Sequence, residues 1–166
     1  MSAVAASAGV ARAMYFYSST VGKKAVMAVT GVILCGFVIG HLIGNLQVYM
    51  GPDQLNSYAH KLRSLGPLLW VIRAALLTTV VVHITAAVQL WLLNRSARPQ
   101  RYQRLSPIAS SYASRTMIWS GPIIGAFVIY HLMHLTIGNA HPDFNHELDV
   151  YHNVIAGFRQ VPASLA

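Results

Sequence analysis

Lys23–Gln47 reads KKAVMAVTGVILCGFVIGHLIGNLQ: two lysines, then an apolar run that holds one imidazole, His41, before it ends at Asn45 and Gln47. A helix rises ~1.5 Å per residue and the hydrocarbon core of a bilayer is ~30 Å thick, so the run is long enough to cross a membrane. It is also too long for the core of a cleaved signal peptide, and it reads as a retained span running from about residue 25 to 48. Two further runs have the same character, at about 68–93 and 117–137. In hydrocarbon the backbone must satisfy its own polar groups, so all three are expected to be helical, giving an all-α transmembrane helical bundle with three spans in this sequence. Pro122 falls in the first turns of the third span, where it kinks a helix without having to break it.

The composition agrees. Of 166 residues, 55% are hydrophobic and 10% are charged, with a mean hydropathy of +0.49. A soluble domain carries about 25% charged residues. The single cysteine, Cys35, lies inside the first span and cannot form an internal disulfide. A net charge of +8 would suit nucleic acid, but the basic residues stand at the ends of the apolar runs and form no dense basic face, so no nucleic-acid partner is expected.

Those basic residues orient the spans. Arg12, Lys23 and Lys24 precede the first, and Arg95, Arg98, Arg101, Arg104 and Arg115 separate the second from the third. The opposite side holds Lys61, Arg63, Arg73 and Arg159 together with every acid: Asp53, Asp143, Glu147 and Asp149. The positive-inside rule then places residues 1–24 and the Arg-rich loop in the cytoplasm, and 138–166 outside as a loop and the start of a fourth helix. The chain is therefore expected to cross a membrane several times.

Each span carries a histidine: His41, His83, and His131 with His134. One imidazole in an apolar helix ordinarily bonds a neighbouring helix. Imidazoles in all three spans point to function, because ionisable groups inside a membrane are rare and costly. His41 lies ~25 Å beyond Lys24, and His131 lies ~24 Å beyond Arg115, so on two helices rising from the same face they share one level. His83, ~18 Å before Arg95 on a descending helix, is about one turn deeper. Two imidazoles at one depth on different helices can hold a planar metal macrocycle between them. That is bis-histidine haem ligation, which closes both axial positions and suits electron transfer. Zinc would want a tetrahedral set that the spans lack, and no carboxylate lies within them for a proton relay. The second ring nitrogen of each ligand needs an acceptor, and the expected one is the carbonyl a turn earlier: Phe37 for His41, Thr79 for His83, Phe127 for His131. Gly36, Gly40 and Gly44 form an i, i+4 row beside His41, which reads either as close helix packing or as a bare face for a porphyrin edge.

The same segments resemble one family. Lys23–Gln47, LNSYAHKLRS at 55–64, VVVHITAAVQLWLLNRSARP at 80–99, GAFVIYHLMHLTIG at 125–138 and DVYHNVIAGF at 149–158 are similar, in order, to the cytochrome b membrane anchor of bacterial succinate dehydrogenase, respiratory complex II. It is the single-anchor, di-haem type related to fumarate reductase. The resemblance covers nearly everything after about residue 20. It implies five helices holding two b haems, with flavoprotein and iron–sulfur subunits docked on the cytoplasmic face. Electrons from succinate oxidation would pass through the haems to a membrane quinone, expected to be menaquinone, in a complex that can form a higher oligomer. It implies His41 and His131 as ligands of the outer haem and His83 as one ligand of the inner haem. His131 rather than His134, the alternative ligand, keeps the family's spacing of ten residues from the glycine at the helix start, here Gly121. The family continues through two more helices, one of which supplies the second inner ligand. This sequence stops at QVPASLA, where the fourth would begin, so the expectation is a sequence truncated relative to the functional subunit. A di-haem anchor of a formate dehydrogenase or hydrogenase is the alternative.

Other polar residues carry less. Asn45 and Gln47 at the outer end of the first span could bond a haem propionate or quinone carbonyl, or simply be helix-end polarity. Lys24, Arg115 and Ser120 match the depth of inner-haem propionates, or of ordinary interfacial anchors. His60, His141, His146 and His152 are expected in outer loops exposed to solvent. Trp70, Trp91 and Trp119 fit interfacial belts. His134, ~60° around the helix from His131 and ~4.5 Å further out, is expected at the outer boundary against a propionate, a quinone or water. The His131→Ala variant is therefore expected to abolish the outer haem, while His134→Ala leaves its low-spin spectrum in place. Reduced-minus-oxidised spectra of the two variants decide between them.

Overall fold

The structure, a computed structural model, describes residues 3–98, 100, 110–141, 143–147 and 149–160. Arg101 and Arg104 of the basic loop, and the last six residues, lie outside them. Among the described residues all regular structure is helical: α1 Ala3–Ser18, α2 Thr20–Asn45, a 3₁₀ segment Leu46–Met50, α3 Pro52–Arg63, α4 Pro67–Ser96, α5 Tyr112–Leu132, a π segment Met133–Ile137 and α6 Val150–Phe158.

Three of these elements are long and apolar enough to cross a membrane: Thr20–Met50, Pro67–Ser96 and Tyr112–Ile137. They contain the three expected spans and extend beyond each. Lys23, Lys24, Arg95 and Arg115 all lie within the terminal turns of these helices. A helix needs no apolar side chains to continue into the headgroup region, and long basic side chains reach water from there. Large apolar side chains such as Val32, Ile43, Leu77 and Ile123 face outward, the reverse of a water-soluble fold and the pattern that hydrocarbon favours. Hydroxyls on the spans are satisfied within their own helix: Thr78 donates to the carbonyl of Ala74, Thr79 to Ala75 and Thr85 to Val81.

The helix ends follow local chemistry. Ser19 interrupts α1 and α2, its hydroxyl donating to the Phe16 carbonyl and accepting from the Gly22 N–H at 2.9 Å. Gly22 is required there, since a Cβ would collide with the Phe16 carbonyl. Pro52 and Pro67 open α3 and α4, where the missing N–H would have had no helical acceptor. Asp53 in the first turn of α3 and Lys61 and Arg63 in its last complement the helix dipole. Ser111 caps α5 by accepting from the Ser114 N–H, and Pro122 lies inside that helix as expected. The end of α5 widens into the π segment, closed by Gly138 at φ +85°, whose N–H donates to the Met133 carbonyl.

The chain divides into two compact units. The first, residues 1–43 and 65–102, contains α1, nearly all of α2, and α4, with Thr30, Ala86 and Leu90 buried. In it, α1 is tied to α4 where the Tyr17 hydroxyl donates to Gln89 Oε1 at 3.1 Å. The second, residues 44–64 and 103–166, contains α3, α5, the π segment and α6. Leu55 of α3 is buried there, and Asn56 joins α3 to the start of α6 by donating to Asp149 and accepting from the Tyr151 N–H, both at 3.0 Å.

Candidate functional site

In the first unit, His83 of α4 reaches across to α2. Its Nδ1 lies 2.9 Å from the hydroxyl of Thr30, and Cε1 would stand 3.4 Å from a Cβ placed on Gly31. Thr30 has one hydroxyl hydrogen, and its oxygen sits 2.8 Å from the Val26 carbonyl and 3.1 Å from that of Met27. When that hydrogen is spent within its own helix, the oxygen is left as an acceptor and Nδ1 supplies the hydrogen between the two side chains. In that tautomer the lone pair of His83 is on Nε2, where an imidazole can serve as a metal ligand while its other nitrogen is held by a hydrogen bond. The partner is the Thr30 hydroxyl rather than the expected Thr79 carbonyl. A hydroxyl on a facing helix, at 2.9 Å, displaces a carbonyl already engaged in the helix ladder.

His41 on α2 is exposed and stacks on Phe37, with ring centroids 5.3 Å apart. On α5, in the second unit, half-buried His131 stacks on Phe127 at 5.8 Å. Both pairs have Phe-x-x-x-His spacing, which puts the rings on one helix face. Gly36 and Gly40 have nothing within 4 Å of where a Cβ would stand, whereas Gly44 is covered by Tyr58 of α3, whose hydroxyl would be 2.6 Å from such a Cβ. The glycine row is thus bare over its first two members and closed at the third.

His134 and His141 depart from expectation. His134, in the π segment, is 3% exposed and stacks on Tyr130 at 5.3 Å and on His141 at 4.8 Å. It does not look out on water at the boundary: α6 covers it, and a Cβ on Gly157 would stand 2.7 Å from its Cε1. Its Nε2 is buried without a hydrogen-bond partner. His141 is 5% exposed, not solvated as its place in a loop suggested. Its Nδ1 accepts from the Asp143 N–H at 3.1 Å and its Nε2–H donates to the Asn153 carbonyl at 2.9 Å. Asn153, itself buried, holds the same loop from α6 by accepting from the Asn145 N–H and donating to the Asn145 carbonyl. The sequence offered one signal for this packing: Asn153 and Gly157, four apart, share a face of α6. His152 pairs with Asp143 at 3.2 Å, and His60 and His146 are exposed as expected.

Of the candidate propionate or quinone residues, Gln47 accepts from Gln54, Arg115 donates to the Ser110 carbonyl and Ser120 to the Met117 carbonyl. Lys24 and Asn45 are exposed. No group of three or more His, Cys, Asp or Glu side chains converges among the described residues. Axial ligation of a haem needs none, since each iron takes two imidazoles.

Asp149 caps α6, accepting from the His152 N–H at 2.9 Å and from Asn56. Its carboxyl is held below the ordinary value of 3.8, first by the His152 N–H and then by the Asn56 amide. A depressed carboxylate stabilises the fold fully above 3.8 and loses that contribution as pH falls below it. The protection of the His152 amide against exchange, relative to its intrinsic rate at each pH, is expected to fall through that acid range in the wild type. Asp149→Asn should flatten the dependence, and Asp149→Ala should cost α6 roughly 1 kcal/mol at neutral pH.

No family model matches the chain, and neither a curated protein nor a solved structure matches it.

Proposed function

We propose that the chain is a haem b-binding membrane-anchor subunit of a succinate:quinone oxidoreductase. It would carry electrons from an iron–sulfur subunit to a membrane quinone without itself oxidising succinate. The observation that carries the reading is the pairing of His83 with Thr30, an intramembrane imidazole whose Nδ1 is held and whose Nε2 has its lone pair to offer. The same bond would satisfy a histidine that only packs helices together, and it is also the arrangement in which an axial ligand is held and oriented. The three membrane-length helices, each with its histidine, support the same reading.

By its depth in the sequence, each of His41 and His131 would be an axial-ligand candidate for an outer haem. His83 supplies one ligand of an inner haem. A bound b haem provides reversible one-electron chemistry. The chain's own contribution is positional and electrostatic. Thr30 accepts the Nδ1 hydrogen, fixes the ring and raises the basicity of Nε2. The apolar helices exclude water, which lowers the local dielectric and, with the axial ligands, tunes potential. The partners would be a flavoprotein and an iron–sulfur subunit on the cytoplasmic face, where the N-terminus and the basic loop would lie in a bacterial cytoplasmic membrane.

A reduced-minus-oxidised spectrum of the intact complex is expected to show b-type bands with two haems per complex. A spectrum without them overturns the proposal, and a single haem removes His83 from the ligand set. Thr30→Val, which keeps the shape of the side chain and loses the acceptor, is expected to shift the midpoint potential of one haem and weaken its retention about 10–100-fold. The other haem should be unaffected. Equal shifts at both would indicate a general disturbance of packing.

A further inference from the structure

Lys23 is 9% exposed, and its surroundings contain no carboxylate of its own unit. Residues 1–43 and 65–102 include neither Asp nor Glu, because all four acids of the sequence fall elsewhere, at 53, 143, 147 and 149. The ammonium donates to the carbonyls of Tyr17 and Ser18 at 3.0 and 2.9 Å, and it stands 5.1 Å from the centre of the Tyr17 ring. These are the last carbonyls of α1, so the lysine caps that helix and meets the negative end of its dipole. That end is worth roughly half an elementary charge. A net positive charge and one of three N–H donors are left over. A buried charge in that condition is costly unless an anion completes it.

Lys23 lines an open groove of about 680 Å³. Tyr17, Gln89 and Ser96 add polar groups to it, and Leu92 and Leu93 form an apolar wall. The Tyr17 hydroxyl is donated to Gln89 Oε1, so the Gln89 amide hydrogens are turned to other acceptors. The groove lies at the ends of two helices long enough to cross a membrane, three residues into α2 and at the last turns of α4. Lys24 and Arg95 add positive charge at the same ends. A cation at the head of an apolar groove, set at the ends of helices long enough to cross a membrane, matches one class of molecule.

We infer that this groove binds an anionic phospholipid, its phosphate on Lys23 Nζ and an acyl chain along Leu92 and Leu93. The lipid would secure α1 against α4 and complete the charge of Lys23. This inference uses no haem ligand and stands or falls separately from the function proposed above.

The test is native mass spectrometry of the membrane-extracted protein in neutral detergent, offered dioleoyl phosphatidylglycerol or dioleoyl phosphatidylcholine in mixed micelles. One phosphatidylglycerol is expected to be retained, with about tenfold preference over phosphatidylcholine, whose choline ammonium cancels the negative charge that its phosphate would bring to Lys23. Lys23→Met should abolish the preference, while Lys24→Met, which removes the same charge from an exposed neighbour, should keep it. Because Lys23→Met also uncaps α1 and can fail to fold, Leu93→Trp provides a second arm: it fills the apolar wall with every cation intact and should release the lipid. Equal retention of the two lipids, retention by Leu93→Trp, or equal loss in both lysine variants overturns the inference. So does displacement of phosphatidylglycerol by millimolar inorganic phosphate, which would make the site one for a free anion.

Discussion

A peptide group in hydrocarbon has no water to bond, and each unpaired one costs several kcal/mol. Three long helices are the response to that constraint, and the polar side chains on them are bound by the same rule. The threonine hydroxyls return to carbonyls one turn back. An imidazole has two nitrogens and is harder to satisfy. His83 resolves one of them by crossing to Thr30, whose own hydrogen is already committed to its helix. This commitment passes a direction along the chain of bonds: carbonyl, hydroxyl, Nδ1–H, and finally a lone pair on Nε2. The partner of that ring nitrogen is thereby supplied by a residue 53 positions away.

Beyond the membrane-length helices, polar groups are handled by a network. His141, Asn145, Asn153, Asp143 and Asp149 bond one another's backbones, so the loop after the π segment and the helix α6 stabilise each other. Gly157 lets α6 approach the rings of His134 and His141 closely, and burial of both imidazoles follows from that approach. His134 keeps one unbonded nitrogen beneath the helix. Its ring is held by stacking on Tyr130 and His141, not by a polar partner at Nε2.

The charge distribution acts at a longer range. All four acids lie outside the unit formed by α1, α2 and α4, so its cations meet carbonyls and aromatic rings in place of carboxylates of their own unit. Lys23 uses the first two, and Arg95 lies 5.4 Å from the ring of Trp91. The uneven placement of the acids therefore leaves an electrostatic deficit at one end of these helices.

The three membrane-length helices and their histidines were legible in the sequence, because hydrocarbon imposes length and apolarity locally, on consecutive residues. The helices α1, α3 and α6 were not, because short segments of mixed polarity owe their helicity to caps and contacts. Asp149 and Asn56, which hold the start of α6, are 93 residues apart. His141 looked like a solvated loop residue because nothing in its neighbours announces the helix that covers it. The Thr79 carbonyl was a reasonable partner for His83 on helical spacing alone, but the better acceptor came from another helix. Sequence by itself determined which segments must be helices and which side chains are costly to bury, since both depend on composition over a few turns. Only the tertiary structure decided which partner satisfies each buried nitrogen, because a hydrogen bond depends on distance in space and not on position along the chain.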